Sequence, residues 1–266
     1  MKRVRVALTA GFNRSLTVVA LAELLTRQGH LVEAILIVTP FNLRRLRALA
    51  RSRERGFVAR AARRAIGIAP PAQGSRVMAE FLERHDIRAR SLRQWARQHH
   101  TTVVSVPDLN APRAIRLIES QRIDGVVYGG GGVLGRPFIA AAGGRILNAH
   151  AGPLPAIRGM NACEWSVLFG LEPTVTIHWI DAGIDTGRTI AQAAVPVCPT
   201  DDLVSLRERA AVTGVEALCR HVGALAAAAP AARPGAPLSR QCYVLAPALR
   251  ELAETKLRCR HAAEGA

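Results

Sequence analysis

The first part of the chain alternates apolar runs with polar breaks in a pattern that predicts a strand, a helix and a second strand. Residues 3–8 alternate arginine with valine and then become apolar, which is typical of a strand that enters a core. Ser15 stands where a helix N-cap is expected, and apolar residues recur at helical spacing over 16–28. A second apolar run covers 31–38. This opening predicts a βαβ unit and a parallel sheet.

The same alternation continues to the end of the chain. Further strands are predicted over 102–106, 125–128, 145–148, 175–180 and 189–197. The last two alternate between apolar and other residues, as a half-buried strand does, and the final one fits an edge or antiparallel strand. A long helical pattern then covers 203–225, followed by a linker at 226–237 rich in alanine and proline and a tail with room for one strand and one short helix. The chain is therefore predicted to adopt an α/β fold with a mostly parallel central sheet.

Residues 41–100 differ from the rest because arginines stand among leucines and alanines at helical spacing. The segment predicts a helical, arginine-rich insertion, densest in arginine over 44–64, with later helices over 75–84 and 91–99. Two interpretations of the arginines stay open. They form a solvated helix face, which the pattern favours, or they contact an anionic substrate or phosphate.

The composition limits the classes of function. The chain has 266 residues, 49% of them hydrophobic, and a formal charge of +16. That excess suggests nucleic-acid binding, but the scarcity of aromatic residues and the near absence of lysine favour solvated arginine faces instead. No apolar run reaches the roughly 18 residues that span a bilayer, so no membrane partner is expected. Five dispersed cysteines predict reduced thiols, a cytoplasmic location and no metal site.

The candidate chemistry lies in Asn148, His150 and Asp185. Residues two apart in a strand point to the same side, so the amide of Asn148 and the imidazole of His150 are expected to face one cavity. An amide can donate to a developing oxyanion, and an imidazole can give or take a proton near neutral pH. Asp185 lies on a loop between glycines and is the best candidate to support the imidazole. This set can hold a tetrahedral intermediate and move its protons.

These residues stand in a pattern that resembles the folate-dependent formyltransferases. The family pattern is Asn-x-His-x-Ser-Leu-Leu-Pro-x-x-Arg-Gly, then Gly-Val-Thr-x-His, then Asp-x-Gly-x-Asp-x-Gly. The chain has Asn-Ala-His-Ala-Gly-Pro-Leu-Pro-Ala-Ile-Arg-Gly over 148–159, Thr-Val-Thr-Ile-His over 174–178 and Asp-Ala-Gly-Ile-Asp-Thr-Gly over 181–187. The match is good over roughly 124–200 and weaker over 1–40 and 100–123.

The resemblance implies a Rossmann-like formyltransferase fold, with a catalytic domain over 1–200 that includes the helical insertion at about 41–100. Residues 201–266 would form a C-terminal helix, a linker and a short extension. It also implies that Asn148, His150 and Asp185 are catalytic, that 10-formyltetrahydrofolate is the formyl donor and that no metal takes part. The residues that match the family's donor site are Gly131, Gly132, Val133, Leu134, Ile180 and Asp181.

The chain departs from the family pattern beside the catalytic histidine, where Gly152-Pro153 replaces Ser-Leu, and in the all-glycine loop 129–132. The first departure is expected to change the acceptor side and the second to change how the donor binds. Four residues are predicted to bind the acceptor: Asn13 in the first loop, Arg158, Asn161 and Glu164. For Asn161 and Glu164, capping of a helix is the alternative interpretation.

The acceptor is expected to be a small molecule with a primary amine, such as an amino sugar nucleotide or a specialised metabolite. A tRNA acceptor is disfavoured, because the family members that formylate tRNA carry a C-terminal β-barrel and the tail here is shorter and largely helical. Formyltetrahydrofolate deformylases carry a regulatory domain before the first catalytic strand, so a first strand at residue 3 weighs against that activity. Two alternatives stay open: hydrolysis of formyltetrahydrofolate by the same three residues, and nucleic-acid binding by an inactive domain. A homodimer also stays open.

Overall fold

The computed structural model describes residues 2–39, 76–227 and 241–264, with side chains described up to residue 259. Its strands are Arg5–Ala10 (β1), Leu31–Val38 (β2), Thr102–Val106 (β3), Gly125–Gly129 (β4), Ile146–His150 (β5), Arg158–Gly159 (β6), Thr174–Trp179 (β7), Thr189–Ala194 (β8) and Gln241–Cys242 (β9). Its α-helices are Leu16–Arg27 (α1), Val77–Arg84 (α2), Leu92–His99 (α3), Pro112–Ser120 (α4), Arg136–Ala141 (α5), Ala162–Leu168 (α6), Leu203–His221 (α7) and Pro247–Glu264 (α8). A 3₁₀ helix follows α7 over Val222–Ala226.

Seven strands form one sheet in the order β3-β2-β1-β4-β5-β7-β8. The first five are parallel to one another, whereas β7 is antiparallel to both β5 and β8. The α/β fold with a mostly parallel central sheet is therefore confirmed. The strand order reverses between β1 and β4, and ligands of open α/β sheets bind beside the carboxyl ends of the strands at such a point.

Helices cover both faces of this sheet because most of its strands are apolar on both sides. On one face, Leu21 of α1, Trp95 of α3 and Val215 of α7 belong to a large buried cluster, here called the first cluster. On the other face, Ile118 of α4 and Phe138 of α5 belong to a second cluster. The two faces are therefore closed by different sets of helices, which matters for the site at the edge of the sheet.

The helices predicted over 75–84 and 91–99 are confirmed as α2 and α3. Phe81 and Leu82 of α2 and Trp95 of α3 are almost fully buried in the first cluster. Ser91 caps α3, because its hydroxyl accepts a hydrogen bond from the Gln94 amide. The arginine-dense stretch 44–64 lies outside the described residues, so the two interpretations of its arginines stay predictions.

The C-terminal extension lies against α6. Strand β9 pairs in parallel with β6, and the Trp165 indole of α6 donates to the Tyr243 carbonyl at 2.9 Å. The Lys256 ammonium of α8 donates to the Leu168 carbonyl at 2.7 Å. Helix α8 has 18 residues and is longer than the short helix that was expected. Helix α7 packs into the first cluster through Leu206 and Ala210. The division of the chain at residue 200 stays a prediction. Within the described ranges, no helix combines the length and apolar character needed to cross a bilayer.

His30 is expected to make the stability of the fold depend on pH. Its ring is buried and its Nδ1 accepts a hydrogen bond from the Val4 amide at 3.2 Å, and burial lowers its pKa from the ordinary 6.5. The neutral ring thus contributes stability that is fully present above pH 6.5 and is lost as the pH falls through the lowered pKa. The free energy of unfolding should fall on acidification, by at most about 1.4 kcal/mol per pH unit for this proton.

Urea unfolding at a series of pH values measures this slope. His30→Asn keeps an acceptor near the position of Nδ1 but cannot be protonated, so its slope should be smaller than that of the wild type. An unchanged slope in a folded His30→Asn protein would show that this histidine does not titrate with unfolding.

Candidate active site

Strand β5 presents Asn148 and His150 from one side of the sheet. Leu147 and Ala149 pack into the first cluster, and side chains alternate along a strand, so Asn148 and His150 project from the opposite side. His150 is buried and Asn148 is half-buried. The shared side that the spacing predicts is therefore present, at the end of a strand next to the point where the strand order reverses.

Asp185 lies beside this pair. Its Oδ2 is 3.4 Å from His150 Nδ1 and accepts a hydrogen bond from the Gly159 amide at 2.8 Å. The Arg158 guanidinium donates to the carbonyl of the preceding residue, Ile184, at 3.1 Å. The Arg-Gly pair thus binds the loop that carries the carboxylate, one residue through its side chain and the other through its backbone.

The shape of this loop depends on residues that allow close approach. A side chain at Gly187 would place its Cβ 1.7 Å from the Trp179 carbonyl oxygen, so only glycine lets the loop return to β7 here. Asp181 Oδ1 accepts hydrogen bonds from the Gly183 amide and the Thr186 hydroxyl, which closes the first turn. Asp181, predicted to bind the donor, has these bonds inside its own loop.

A second histidine, His178 of β7, joins the group. The antiparallel register places it opposite Asn148, and its Nε2 lies 3.0 Å from Asn148 Nδ2. Its Nδ1 lies 2.8 Å from the Trp179 carbonyl, which can only accept, so Nδ1 carries the proton and Nε2 accepts from the Asn148 amide. Burial lowers the pKa of His178, against the opposing effect of Asp185, and this favours the neutral ring.

His178 is part of the sequence pattern, but no role could be assigned to it. The pairing register of two strands cannot be predicted from the hydrophobic pattern of each strand alone. In the structure, its neutral ring fixes which end of the Asn148 side chain carries the NH₂ group. The second N–H of that amide can therefore serve as a donor to a carbonyl oxygen. Asp185 Oδ1 lies 3.6 Å from His178 Nε2 as well, so one carboxylate stands between two imidazoles.

The ring of His150 has acceptors at both nitrogens. Its Nδ1 faces Asp185, and its Nε2 lies 2.9 Å from the Ile157 carbonyl oxygen. An imidazole that carries both protons can donate to both partners, whereas the neutral ring can donate to one only. One nitrogen of this ring therefore faces a carboxylate and the other a backbone carbonyl.

A cavity of about 450 Å³ opens beside this group, on the side of α1 and α7. Its walls include the apolar residues Val18, Leu21 and Val215, and its lining reaches Asn148 and His150. Gly152 allows the start of α6 to come close to His150, because a Cβ at this position would lie 2.8 Å from the Ala162 Cβ and 3.1 Å from His150 Nε2. The departure from the family pattern at Gly152 thus lets helix α6 approach His150.

Asn161 and Glu164, predicted to bind the acceptor, line this cavity and bond to each other. The Asn161 amide donates to Glu164 Oε1 at 3.1 Å and accepts from the Leu245 amide at 3.2 Å. Glu164 is almost fully buried and forms an ion pair with Arg207 of α7. Sequence reasoning missed Arg207, because the face that α7 turns toward the cavity depends on packing.

Asn13 lies in a different setting. Its side-chain oxygen accepts from the Arg93 amide at 3.0 Å and its carbonyl accepts from the Leu92 amide at 2.9 Å, so it holds the start of α3. Arg158 is buried, and its bond to Ile184 favours a role in shaping the loop. Binding of an acceptor by Asn13 and by Arg158 stays a prediction.

The residues predicted for the donor lie on the other side of the sheet. Leu134 and Ile180 both pack with the second cluster, although they come from the loops after β4 and β7. Gly131 and Gly132 have φ angles of 125° and 106°, which L side chains rarely adopt, and Val133 is 70% exposed. These two loops thus border one apolar surface next to Asn148. Among the residues that the structure describes, no group of three or more histidine, cysteine or acidic side chains is arranged to hold a metal ion.

Residues 95–222, which include Asn148, His150, His178 and Asp185, match the family model described as formyl transferase. The chain contains a formyltransferase-family domain.

Two relatives indicate the range of this family. The chain is 41% identical over 95 residues to phosphoribosylglycinamide formyltransferase of Mycobacterium tuberculosis H37Rv, and this alignment covers 35% of the chain and 44% of that protein. The chain is 32% identical over 147 residues to methionyl-tRNA formyltransferase of Anaeromyxobacter dehalogenans, and this alignment covers 54% of the chain and 46% of that protein. The aligned part thus spans less than half the length of each of these curated relatives.

Solved structures share the fold. The crystal structure of phosphoribosylglycinamide formyltransferase from Streptococcus pneumoniae matches with a TM-score of 0.54 at 21% identity, over 84% of this chain and 98% of that chain. A sugar N-formyltransferase from Shewanella matches with a TM-score of 0.55 at 13% identity, over 96% of this chain and 87% of that chain. At these identities the likeness shows the fold alone.

Substitution of Arg158 separates loop shaping from acceptor binding. Arg158→Met removes the bond to the Ile184 carbonyl and should let the Asp185 loop shift. We expect formyl-transfer kcat to fall about tenfold or more while KM for the amine changes little, since a misplacement of about 1 Å has large effects on rate. Steady-state kinetics measure both constants. Arg188→Met, at an exposed position of the same loop, is the control and should behave as the wild type. A raised KM with normal kcat would instead support acceptor binding by Arg158.

Substitution of His178 tests the orientation of Asn148. His178→Leu removes the acceptor for the Asn148 amide and should lower kcat by about tenfold or more, as loss of a group that orders a catalytic donor does. His178→Gln restores an acceptor oxygen near the same position and should recover part of the lost rate. Equal rates in the two variants would argue against this hydrogen bond as the reason for the effect.

Proposed function

We propose that the chain transfers a formyl group from 10-formyltetrahydrofolate to the primary amine of a small-molecule acceptor. The single observation that carries the proposal is the convergence of Asn148, His150 and Asp185 at the end of β5, within a formyltransferase-family domain. A cavity on one side and two loops on the other leave room for two molecules to meet at these side chains.

Each of the three residues has a task that its surroundings support. Asn148 offers an N–H that stabilises negative charge on the formyl oxygen, with its orientation set by His178. His150 donates a proton to that oxygen or to the departing nitrogen through Nε2, which exchanges the Ile157 carbonyl for the reactant while Nδ1 stays beside Asp185. Asp185 stabilises the protonated ring and accepts a proton from the attacking amine. The amide of Gly159 holds the carboxylate in place for both tasks.

The donor side is suited to a flat ring system with polar edges. When bound, formyltetrahydrofolate supplies an activated formyl group on nitrogen. The loop that contains Gly131, Gly132 and Val133 offers backbone groups, and Leu134 and Ile180 offer apolar contact from two loops of one cluster. Some of the loop's polar groups are already used, since the Tyr128 hydroxyl donates to the Gly132 carbonyl. We therefore expect the ring to contact the amides of this loop more than its carbonyls.

Alanine substitution of Asn148, His150 and Asp185 tests the proposal. Each variant should lower the rate of formyl transfer by about two orders of magnitude or more, as expected when an oxyanion donor or a proton-transfer group is lost. The measurement is the formation of tetrahydrofolate and of the formylated amine. His221→Ala, at the far end of α7, is the matched control and should keep its rate. A near-normal rate in a correctly folded His150→Ala protein would remove the proposed mechanism.

Incubation with formyltetrahydrofolate alone distinguishes transfer from hydrolysis. A transferase should release little formate until an amine is added, and the amine should then consume the donor in equal amount. Formate release that is fast without amine, and is abolished in Asp185→Ala, would support a hydrolase that uses the same side chains.

A further inference from the structure

The loop at the end of β4 begins with four consecutive glycines, which have no side chains to hold it in place. Residues 129–135 are here called the donor loop. Gly130, Gly131 and Gly132 have φ angles of 106°, 125° and 106°. Glycine adopts positive and negative φ with similar ease, so such a run has little conformational preference of its own. The shape of the donor loop must therefore come from groups outside the glycines.

Two hydroxyl groups on neighbouring strands bind the backbone of the glycines. The buried Thr9 hydroxyl of β1 donates to the Gly130 carbonyl at 2.8 Å and accepts from the Gly129 amide at 3.2 Å. The Tyr128 hydroxyl of β4 donates to the Gly132 carbonyl at 2.8 Å. Thr9 and Tyr128 are opposite each other in the parallel pair of β1 and β4, so both hydroxyls are carried by one part of the sheet.

An amide side chain holds the second half of the donor loop. Asn110, just before the start of α4, donates through Nδ2 to the Val133 carbonyl at 2.9 Å, and its Oδ1 accepts from the Gly135 amide. One side chain thus binds both neighbours of Leu134, which is buried in the second cluster. Asn110 is itself held in place, because Asp108 Oδ1 accepts from its backbone amide at 2.8 Å and from its Nδ2 at 3.0 Å.

These contacts divide the polar backbone groups of the donor loop into two sets. The carbonyls of Gly130, Gly132 and Val133 accept from side chains of the protein. In the part of the chain that the structure describes, the amides of Gly131, Gly132 and Val133 have no hydrogen-bond acceptor. Gly132 and Val133 are exposed. Three successive N–H donors are therefore available to acceptor atoms of a ligand.

We propose that Thr9, Tyr128 and Asn110 are positioning residues of the donor site. They hold the donor loop in one shape before the donor binds, with three carbonyls bonded to the protein and three amides facing the ligand. A loop that is ordered in advance does not have to be ordered by its ligand, so the ligand binds more tightly. The inference rests on the proposed function for the identity of the ligand and adds to it three residues that act through the loop backbone. Side chains on neighbouring segments thus compensate for the absence of side chains in the glycine run.

Nuclear magnetic resonance on the ¹⁵N-labelled protein tests the positioning without any ligand. The backbone order parameters of residues 130–132 should be close to about 0.85, the value typical of a rigid backbone. In Tyr128→Phe and in Thr9→Val they should fall toward about 0.6 or below, because each variant lacks a hydroxyl that binds a glycine carbonyl. Thr9→Ser keeps the hydroxyl and should restore the order that Thr9→Val loses.

Titration with tetrahydrofolate, followed by the same spectra and by calorimetry, tests the role of the loop in binding. The amide signals of residues 131–133 should shift in the wild type. Tyr128→Phe and Asn110→Ala should each weaken binding roughly five- to tenfold, as expected when a hydrogen bond that orders the site is lost. Tyr243→Phe removes the hydroxyl of the other tyrosine, which is exposed, and is the matched control that should bind as the wild type.

Formyl-transfer kinetics separate positioning of the donor from a general loss of structure. In Tyr128→Phe, KM for formyltetrahydrofolate should rise about as much as the Kd of tetrahydrofolate, while kcat and KM for the amine change little. The inference is overturned if residues 130–132 are as mobile in the wild type as in the variants, or if the variants keep wild-type order or affinity. Failure of the proposed function alone gives a different result: the loop is ordered in the wild type and loosened in the variants, but its amides do not respond to tetrahydrofolate.

Discussion

The site depends on a carboxylate that is held between two imidazoles. Asp185 is half-buried, and its oxygens face His150 and His178 at 3.4 and 3.6 Å while the Gly159 amide donates to it. Asp185 keeps these contacts only when the loop that carries it returns to one position. The close approach at Gly187 and the bond from Arg158 set that position. The Asn-x-His strand, the Arg-Gly strand and the aspartate loop are thus three parts of one electrostatic arrangement.

That arrangement joins segments that are distant in the sequence. In the Arg-Gly pair of β6, one residue binds the Ile184 carbonyl and the next offers its amide to Asp185. The histidine of β7 stands opposite Asn148 in an antiparallel register. Thr176, on the same face of β7, donates to the Gly152 carbonyl and accepts from the Leu154 amide. The loop after His150 is therefore anchored to the strand that also orients Asn148.

Much of the fold could be predicted from the sequence because it follows local periodicity. The βαβ opening and the helices α2 and α3 were accessible from hydrophobic spacing and caps. The side that Asn148 and His150 share follows from the alternation of a strand. The contacts between segments were less accessible. The pairing of His178 with Asn148 depends on strand register, and the pairing of Glu164 with Arg207 depends on how α6 and α7 rotate about their axes.

Asn148 and His150 stand at a boundary between two halves of the molecule. The surfaces on the second-cluster side come from the loops after β4 and β7, whereas the cavity walls come from α1, α6 and α7. Residues that would recognise one reactant are therefore built on different segments from those that would recognise the other. Under the proposed function, sequence change in α6 and α7 would alter the surroundings of the acceptor while leaving Asn148 and His150 in place, so one scaffold would serve different amines.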